Sequence, residues 1–124
     1  MLKVAEFLNI EKIEKLRKKY LCKGLDEFDN FSYHAALLDG DKLLGTGRFY
    51  KKDTAIVIDK IAVKGYGEYY EMLFRALLLK ASSQNCKYIV AEKEREKEFY
   101  LKFNFDDEFK VKPDKITFPA CKTI

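Results

Sequence analysis

The sequence contains few residues that could form disulfides or bind metals, with three cysteines and one histidine among 124 residues, and it has no tryptophan. Cys22, Cys86 and Cys121 are odd in number and widely spaced, and neither a CxxC motif nor a Cys/His pair is present. Structural zinc sites need such short spacings. We therefore expect no metal site, and free thiols rather than a disulfide framework.

Long apolar runs are also missing. No stretch is long enough to span a bilayer, and the first apolar patch is interrupted at Glu6, which argues against a signal peptide. We find no internal repeat, linker or low-complexity segment. These features predict one domain over residues 1–124, located in the cytoplasm and without a membrane partner.

The excess of positive charge is small, since 24 Lys and Arg residues are nearly balanced by 20 Asp and Glu residues and the net charge is only +4. A nucleic-acid surface normally clusters basic side chains with stacking aromatics between them. The densest basic stretch, Lys12–Lys23, is better explained as the solvated face of a helix. We therefore expect no nucleic-acid partner.

What the sequence has is apolar and aromatic side chains, with 48% hydrophobic residues, ten Phe and eight Tyr. A chain of this composition and length can bury a proper core. Strands are predicted at Leu2–Leu8, Phe31–Leu38, Lys42–Tyr50, Thr54–Val63, Lys87–Ala91, Phe105–Phe109 and Lys115–Phe118. Helices are predicted at Ile10–Tyr20, Tyr69–Ser82 and Glu92–Lys102. This order predicts an α/β (α+β) fold with a mixed, mostly antiparallel sheet flanked by helices.

Four local signals refine this prediction. Asn9 is expected to cap the first helix, and Asp39-Gly40 indicates a tight turn. Gly45 and Gly47 lie inside a strand, where glycine marks a bulge or a close backbone approach. Asn104 is expected to adopt a left-handed conformation at a helix end.

Two polar residues stand inside otherwise apolar strands. Asp59 is costly at the centre of such a strand unless it is paired or functional. Lys42, Arg48 or Lys87 on neighbouring strands could pair with it, so both explanations stay open. His34 is expected to be structural rather than a catalytic base.

Three stretches resemble motifs of the GNAT (N-acetyltransferase) superfamily. Val57–Val63 (VIDKIAV) is similar to the family's strand "hydrophobic, acid, x, hydrophobic, A, V". Phe74–Ala81 (FRALLLKA) resembles its helix "L-R-A-L-L-x-K-A", and Glu98–Phe105 (EFYLKFNF) resembles "A-x-x-F-Y-x-K-L-G-F". Gly45 and Gly47 match a weaker glycine position of its third strand. The order and spacing of these matches imply a GNAT-like fold.

The resemblance implies transfer of an acetyl group from acetyl-CoA, as co-substrate, to a small-molecule or peptide amine that the sequence does not name. Tyr100 corresponds to the family's tyrosine that protonates the leaving thiolate, and Asp59 to an acid that serves as base. Backbone groups of three residues would hold pantetheine, and the next three would form the pyrophosphate loop at a helix N-terminus. These cofactor-binding residues are Ala62, Val63 and Lys64, followed by Gly65, Tyr66 and Gly67.

The phosphate loop departs from the family pattern. It is about three residues short and lacks the expected Arg or Gln, while Glu68 and Glu71 would repel a pyrophosphate. The alternative is therefore a GNAT-like protein that does not bind CoA and acts as an interaction or small-ligand module. In that case Tyr66, Tyr69 and Tyr70 would form a patch suited to a homodimer contact.

Overall fold

A computed structural model describes residues 1–65 and 67–120 of the chain. The strands are β1 (Leu2–Glu6), β2 (Tyr33–Asp39), β3 (Lys42–Lys52), β4 (Ala55–Val63), β5 (Tyr88–Ala91) and β6 (Lys110–Val111). The helices are α1 (Ile10–Leu21), α2 (Glu68–Ser82) and the short α3 (Lys97–Leu101), with 3₁₀ turns at Glu27–Phe31 and Pro113–Lys115. Across the two described ranges, no helix is long and apolar enough to cross a membrane.

The six strands form one sheet in the order β1-β2-β3-β4-β5-β6. Every neighbouring pair is antiparallel except β4 and β5, which the α2 crossover joins in parallel. The predicted mixed, mostly antiparallel sheet is therefore confirmed. Helices α1 and α2 both pack against β3 and β4.

The local signals read from the sequence have the expected geometry. The Asn9 side chain accepts a hydrogen bond from the Lys12 amide at 3.2 Å and so caps α1. Gly40 has a φ of 59° in the turn between β2 and β3, and Asn104 has a φ of 73° after α3. These residues tolerate such left-handed backbone better than most.

Gly45 and Gly47 let α2 pack directly on β3. A Cβ atom at Gly45 would lie 2.6 Å from Val63 Cγ1, and one at Gly47 would lie 2.8 Å from Leu77 Cδ1. Those distances are shorter than van der Waals contact. The predicted close approach is therefore confirmed, and it is an approach of side chains from β4 and α2.

Phe74 of α2 lies at the centre of an aromatic cluster that connects the helix to the C-terminal third of the chain. Five rings have their centroids 5.2–6.3 Å from that of Phe74: Tyr70, Phe99, Tyr100, Phe103 and Phe105. Aromatic pairs at such distances add about 0.5–1.5 kcal/mol each beyond the area they bury. The short α3 is thus held by packing rather than by its own length.

The predicted helix Glu92–Lys102 is wrong over its first five residues, since α3 begins only at Lys97. The Tyr100 hydroxyl accepts hydrogen bonds from the Glu94 and Arg95 amides at 2.9 and 3.1 Å. The same hydroxyl donates to the Glu92 carbonyl at 3.0 Å. A side chain thereby satisfies the backbone groups that a helix would have paired, and this segment forms a loop.

The predicted strands Phe105–Phe109 and Lys115–Phe118 are also wrong, because the last strand is the two-residue β6. The Asp106 side chain accepts hydrogen bonds from the Glu108 and Lys110 amides at 2.8 and 3.1 Å. Phe109 has a φ of 60°, a left-handed conformation outside the β region. A tight turn stabilised by Asp106 therefore replaces the first of the two strands.

Candidate active site

The sheet opens between its two parallel strands. β4 pairs with β5 only from Ala55 to Ile58, yet β4 continues five residues further, to Val63. Beyond Ala91 the chain leaves the sheet as the loop fixed by Tyr100. In open sheets with parallel strands, ligands bind at the carboxyl ends of the strands, where neighbouring chains diverge.

A bulge in β4 sets the direction of the side chains at this opening. Arg48 pairs with Asp59 and Thr46 with Ala62, so Lys60 and Ile61 together face Gly47 alone. Lys60 has a φ of 54°, a left-handed conformation that marks the extra residue. One inserted residue reverses the alternation of side chains, which keeps Ile61 in the core while Asp59 faces the other side of the sheet.

A cavity of about 400 Å³ lies at the opening, and we call it the β4–β5 cleft. Its wall combines the C-terminal turn of α1, the end of β4, the following loop and the loop after β5. The lining residues are Tyr20, Leu21, Ile61, Val63, Gly65, Glu94 and Arg95. The cleft thus presents apolar side chains together with one carboxyl group and one guanidinium group.

Glu94 is the titratable group of the cleft that differs most from its ordinary behaviour. Burial raises the pKa of Glu94 from 4.5 to about 7, and repulsion from Glu92 and Asp59 acts in the same direction. The hydrogen bond from Tyr70 and the charge of Lys60 lower it only in part. A carboxyl group with this pKa exchanges protons near neutral pH, as general acids and bases do.

Tyr70 of α2 supports both polar side chains of the cleft. Its hydroxyl donates to Glu94 Oε1 at 3.2 Å, and its ring lies under the Arg95 guanidinium, 3.9 Å from the carbon of that group. Only 1% of Tyr70 is exposed. Burial, together with the Glu94 charge, raises the pKa of the Tyr70 hydroxyl, which therefore stays protonated and acts as a donor.

The loop from β4 to α2 borders the cleft and a second cavity of about 460 Å³. Gly65 lines both cavities, and Lys42, Lys64 and Glu68 are among the residues that line the second. Gly67 is the N-cap of α2, with a φ of 73° and no side-chain hydrogen bond. The amides of the first helical turn therefore point toward this loop without a capping side chain.

The chain is similar in structure to several solved proteins that are described as known, putative or probable acetyltransferases. A putative acetyltransferase from Pyrococcus horikoshii is 17% identical, with a TM-score of 0.66 over 86% of this chain and 44% of its own. A probable acetyltransferase from meticillin-resistant Staphylococcus aureus is 21% identical, with a TM-score of 0.63 over 98% of this chain and 100% of its own. The Neisseria gonorrhoeae N-acetylglutamate synthase complexed with coenzyme A and L-arginine is 18% identical. Its TM-score is 0.62 over 81% of this chain.

The chain has the GNAT fold.

The predicted fold family is thereby confirmed. The chain spans only 26% of the N-acetylglutamate synthase and 44% of the Pyrococcus protein, but the whole length of the Staphylococcus protein. No protein-family model matches the sequence, and no curated protein is significantly similar to it.

Within the GNAT fold, Tyr100 lies beneath the cleft rather than in its wall. Only 1% of it is exposed, and its hydroxyl proton is donated to the Glu92 carbonyl. Tyr70 separates it from the cleft, with 3.4 Å between the two hydroxyl oxygens. Tyr100 thus holds the loop after β5, and its role as proton donor stays a prediction.

Asp59 is engaged in the ion pair that the sequence offered as one alternative. Arg48 donates from Nε to Asp59 Oδ1 at 2.7 Å and from Nη2 to Oδ2 at 3.1 Å. Only 3% of Asp59 is exposed. Both carboxylate oxygens of Asp59 accept a hydrogen bond from Arg48, and Asp59 does not line the cleft, so its role as base also stays a prediction.

Arg48 joins Asp59 to two carboxylates from the segment after α1. Its Nη1 donates to Asp26 at 2.6 Å and to Asp29 at 2.9 Å, and Arg17 of α1 forms a bidentate pair with Asp29 at 2.7 and 2.5 Å. We call these five residues the Arg48 network. The prediction that Lys12–Lys23 is a solvated face is therefore wrong at Arg17, which is 1% exposed.

His34 belongs to the same face of the sheet. Its Nε2 lies 3.0 Å from the Asp29 carbonyl oxygen, and the side chain is buried. It contacts the backbone next to the network rather than the cleft. This placement agrees with the structural role expected from the sequence.

The predicted cofactor-binding residues occupy different positions along the opening. Val63 and Gly65 line the cleft, while Lys64 and Gly65 line the second cavity. Gly67 begins α2, whereas Ala62 is fully buried and lines neither cavity. Tyr66 lies outside the described residues.

The predicted tyrosine patch is wrong at Tyr70, since that side chain is buried in the aromatic cluster. Tyr69 is half-buried, and Tyr66 lies outside the described part of the chain. A homodimer contact at this loop stays a prediction.

Sequence reasoning did not identify Glu94, Arg95 and Tyr70. The stretch EKEREKE has the composition of an exposed helix, which concealed the two cleft residues. A usable signal was their position directly after a short buried strand that follows a crossover helix, where parallel strands present ligand sites.

Proposed function

We propose that the protein transfers the acetyl group of acetyl-CoA to an amine, with Glu94 as the general base. The observation that carries this proposal is a half-buried carboxyl group with a pKa of about 7 in the β4–β5 cleft. A carboxyl group with its ordinary pKa would be a much weaker base toward an ammonium group.

The residues at the opening fit the elongated shape of acetyl-CoA. The end of β4 runs past its parallel partner and provides backbone for the pantetheine arm, at Val63 and Lys64. The uncapped first turn of α2 offers amides to the phosphates. When bound, acetyl-CoA would supply a thioester whose C–S bond breaks as the amine N–C bond forms.

The acidic first turn of α2 is less repulsive than the sequence indicates. Glu71 forms an ion pair with Lys102 at the end of α3, which offsets its charge. Lys42 and Lys64 line the second cavity together with Asp39 and Glu68, so two cations balance two carboxylates there. This arrangement supports an anion near Gly65 better than two unpaired glutamates would.

In this proposal the chain's own residues have distinct tasks. Glu94 removes the proton that the attacking amine must lose, and Tyr70 holds the carboxyl group in the cleft through its hydroxyl. Tyr100 fixes the loop that carries Glu94. Asp59 contributes to the fold through Arg48 rather than to proton transfer.

The second candidate is a GNAT-fold protein that does not bind CoA. Glu68 favours it, because this exposed carboxylate occupies the first position of α2, where the phosphates would approach. A small ligand without phosphates would still fit the cleft. The two candidates differ in whether CoA binds at all.

Calorimetric titration with acetyl-CoA and with CoA tests this difference. We expect micromolar binding of both; no heat at millimolar ligand would leave only the second candidate. If acetyl-CoA binds, a mixture of primary amines should yield acetylated products and free thiol.

The variant Glu94→Gln tests the base, with Glu98→Gln as its matched control. Glu98 is exposed, lies outside the cleft lining and is not among the charges that raise the pKa of Glu94. We expect Glu94→Gln to lower kcat by about 10²–10⁴-fold while acetyl-CoA still binds, since positioned general bases contribute that much. An equal loss in both variants would contradict the assignment.

A further inference from the structure

Arg95 is the guanidinium group of the cleft, and its position is fixed by two contacts. Its guanidinium carbon lies over the Tyr70 ring, 3.9 Å from the ring centroid, and its Nη1 donates to the Glu94 carbonyl at 3.1 Å. Among residues 1–65 and 67–120, no carboxylate lies within 4.0 Å of it as a salt-bridge partner. It is half-buried and lines the cleft beside Glu94.

We propose that the acceptor is an amine that also carries a carboxylate, as an amino acid does, with Arg95 binding the carboxylate and Glu94 facing the amine. This inference rests on the proposed function, since it names the substrate class of the same cleft.

The chemistry of arginine supports this assignment. A guanidinium group donates two parallel hydrogen bonds to a carboxylate, which fixes orientation as well as position. The contact with the Tyr70 ring restricts the Arg95 side chain before a ligand binds. Arg95 therefore loses little rotamer freedom on binding. Glu94 and Arg95 are adjacent in sequence and line one cavity, which suits a ligand whose two charged groups are also close together.

Of the other cations near the cleft, Lys60 and Arg48 already have carboxylate partners, and Lys64 lines the second cavity rather than the cleft. Lys60 lies 3.7 Å from Asp59 and 3.6 Å from Glu92, and Arg48 is enclosed by three aspartates. An incoming carboxylate would therefore find its attractive contact at Arg95. The remaining wall is apolar at Leu21, Ile61 and Val63, which provides space for an apolar side chain of the acceptor.

The test compares amino acids with their amides, because each pair differs only in the carboxylate. With acetyl-CoA present, the twenty amino acids and the corresponding amino-acid amides are assayed as acceptors. We expect the best amino acid to exceed its amide by about 10- to 100-fold in kcat/KM, the range of one charge-assisted contact. Equal values for acids and amides would overturn the inference while leaving acetyl transfer intact.

Arg95→Gln and the control Lys93→Gln remove the same charge two residues apart. Lys93 is exposed and lies over the Phe109 ring, outside the cleft lining. In Arg95→Gln the KM for the amino acid should rise by about 10- to 100-fold, with kcat nearly unchanged and the amide unaffected. Lys93→Gln should keep the wild-type preference. A loss in Lys93→Gln, or an equal loss for acid and amide in Arg95→Gln, would overturn the inference.

A binding measurement separates this inference from turnover. The best amino acid and its amide are titrated calorimetrically into wild type, Arg95→Gln and Lys93→Gln in the presence of CoA, after thermal unfolding has confirmed that each variant is folded. Binding of the acid alone, lost only in Arg95→Gln, supports the inference. If no amino acid gives binding heat with the wild type, the inference is overturned. The proposed function fails separately, if acetyl-CoA itself does not bind.

Discussion

Two groups of charged side chains lie near the end of β4, and the pKa of a buried carboxyl group shifts in opposite directions in the two. In the Arg48 network, burial would raise the pKa of Asp29, but hydrogen bonds from Arg17 and the Asp26 amide and the charges of Arg17 and Arg48 hold it well below its usual range. In the β4–β5 cleft, burial raises the pKa of Glu94 to about 7. Both carboxyl groups are removed from water, but only Asp29 has cationic partners in direct contact.

The difference separates a structural use of buried charge from a chemical one. A carboxylate with good partners stays ionised over the working pH range and joins elements of the fold. A carboxyl group without such partners keeps its proton until near neutral pH and can exchange it there. The comparison therefore predicts opposite stability effects when charge is removed from the two groups.

Arg48→Met should have the largest effect, a loss of about 3–5 kcal/mol in the free energy of unfolding, because it removes the shared cation of the buried Asp29 and Asp59 and of the exposed Asp26. Urea denaturation at pH 7 measures it. Hydrogen bonds from Arg48 lower the pKa of Asp26, so this stabilisation is complete above the ordinary value of 3.8 and is lost as the pH falls toward the lower folded-state value. The difference between wild type and variant should therefore narrow in acid.

Two companions check this explanation. Lys42→Met removes an exposed charge from the same strand and should change stability little. The double variant Arg48→Met/Asp59→Asn should recover part of the loss, because it removes one of the unpaired charges. If the double variant is less stable than Arg48→Met alone, ion pairing does not account for the contribution of the network to stability.

Glu94→Gln should stabilise the protein at pH 8 by up to about 3 kcal/mol, since the rise in the pKa of Glu94 from 4.5 to about 7 corresponds to roughly that free energy. The folded-state pKa of about 7 exceeds the ordinary 4.5. Stability that is fully present below pH 4.5 is therefore lost as the pH rises through 7. Thermal unfolding at pH 4 and pH 8 measures it, and equal effects at both values would contradict the raised pKa.

Gly47→Ala should have the smallest effect, about 1–3 kcal/mol, through crowding on the apolar face of the sheet. The added Cβ would lie 2.8 Å from Leu77 Cδ1 and 3.1 Å from Ile61 Cγ1. Because neither neighbour is charged, the loss should be the same at pH 4 and pH 8. Gly24→Ala is the control, since its Cβ would make only an ordinary contact at 3.6 Å.

The first two-thirds of the fold could be predicted because its signals are local. Asn9, Asp39-Gly40 and the β-branched β4 each determine their own conformation through capping, turn geometry or burial. The C-terminal third could not be predicted in the same way. There the Tyr100 hydroxyl takes the hydrogen bonds of a loop, and Asp106 replaces a strand with a turn, so distant side chains decide the backbone.

Part of the cleft lining coincides with residues singled out from the sequence. Val63 and Gly65 line the cleft, and their role in binding a cofactor stays a prediction. Glu94 and Arg95 were not predicted, because charged residues in a highly charged stretch usually indicate an exposed helix. Only the opening of the sheet shows that these two line a cleft. Arg48 was among the partners expected for Asp59, but Asp26 and Asp29 lie in a segment whose sequence indicates only a polar connection.

Arg48 also limits how this sequence can change over evolutionary time. Its guanidinium group serves Asp26, Asp29 and Asp59 at once, so a substitution at any one position changes the environment of the other three. Single replacements pass through a destabilised intermediate, whereas a joint replacement by apolar residues does not. We therefore expect related chains to keep these four residues together or to have lost them together, which makes their joint occurrence a signature by which relatives can be recognised.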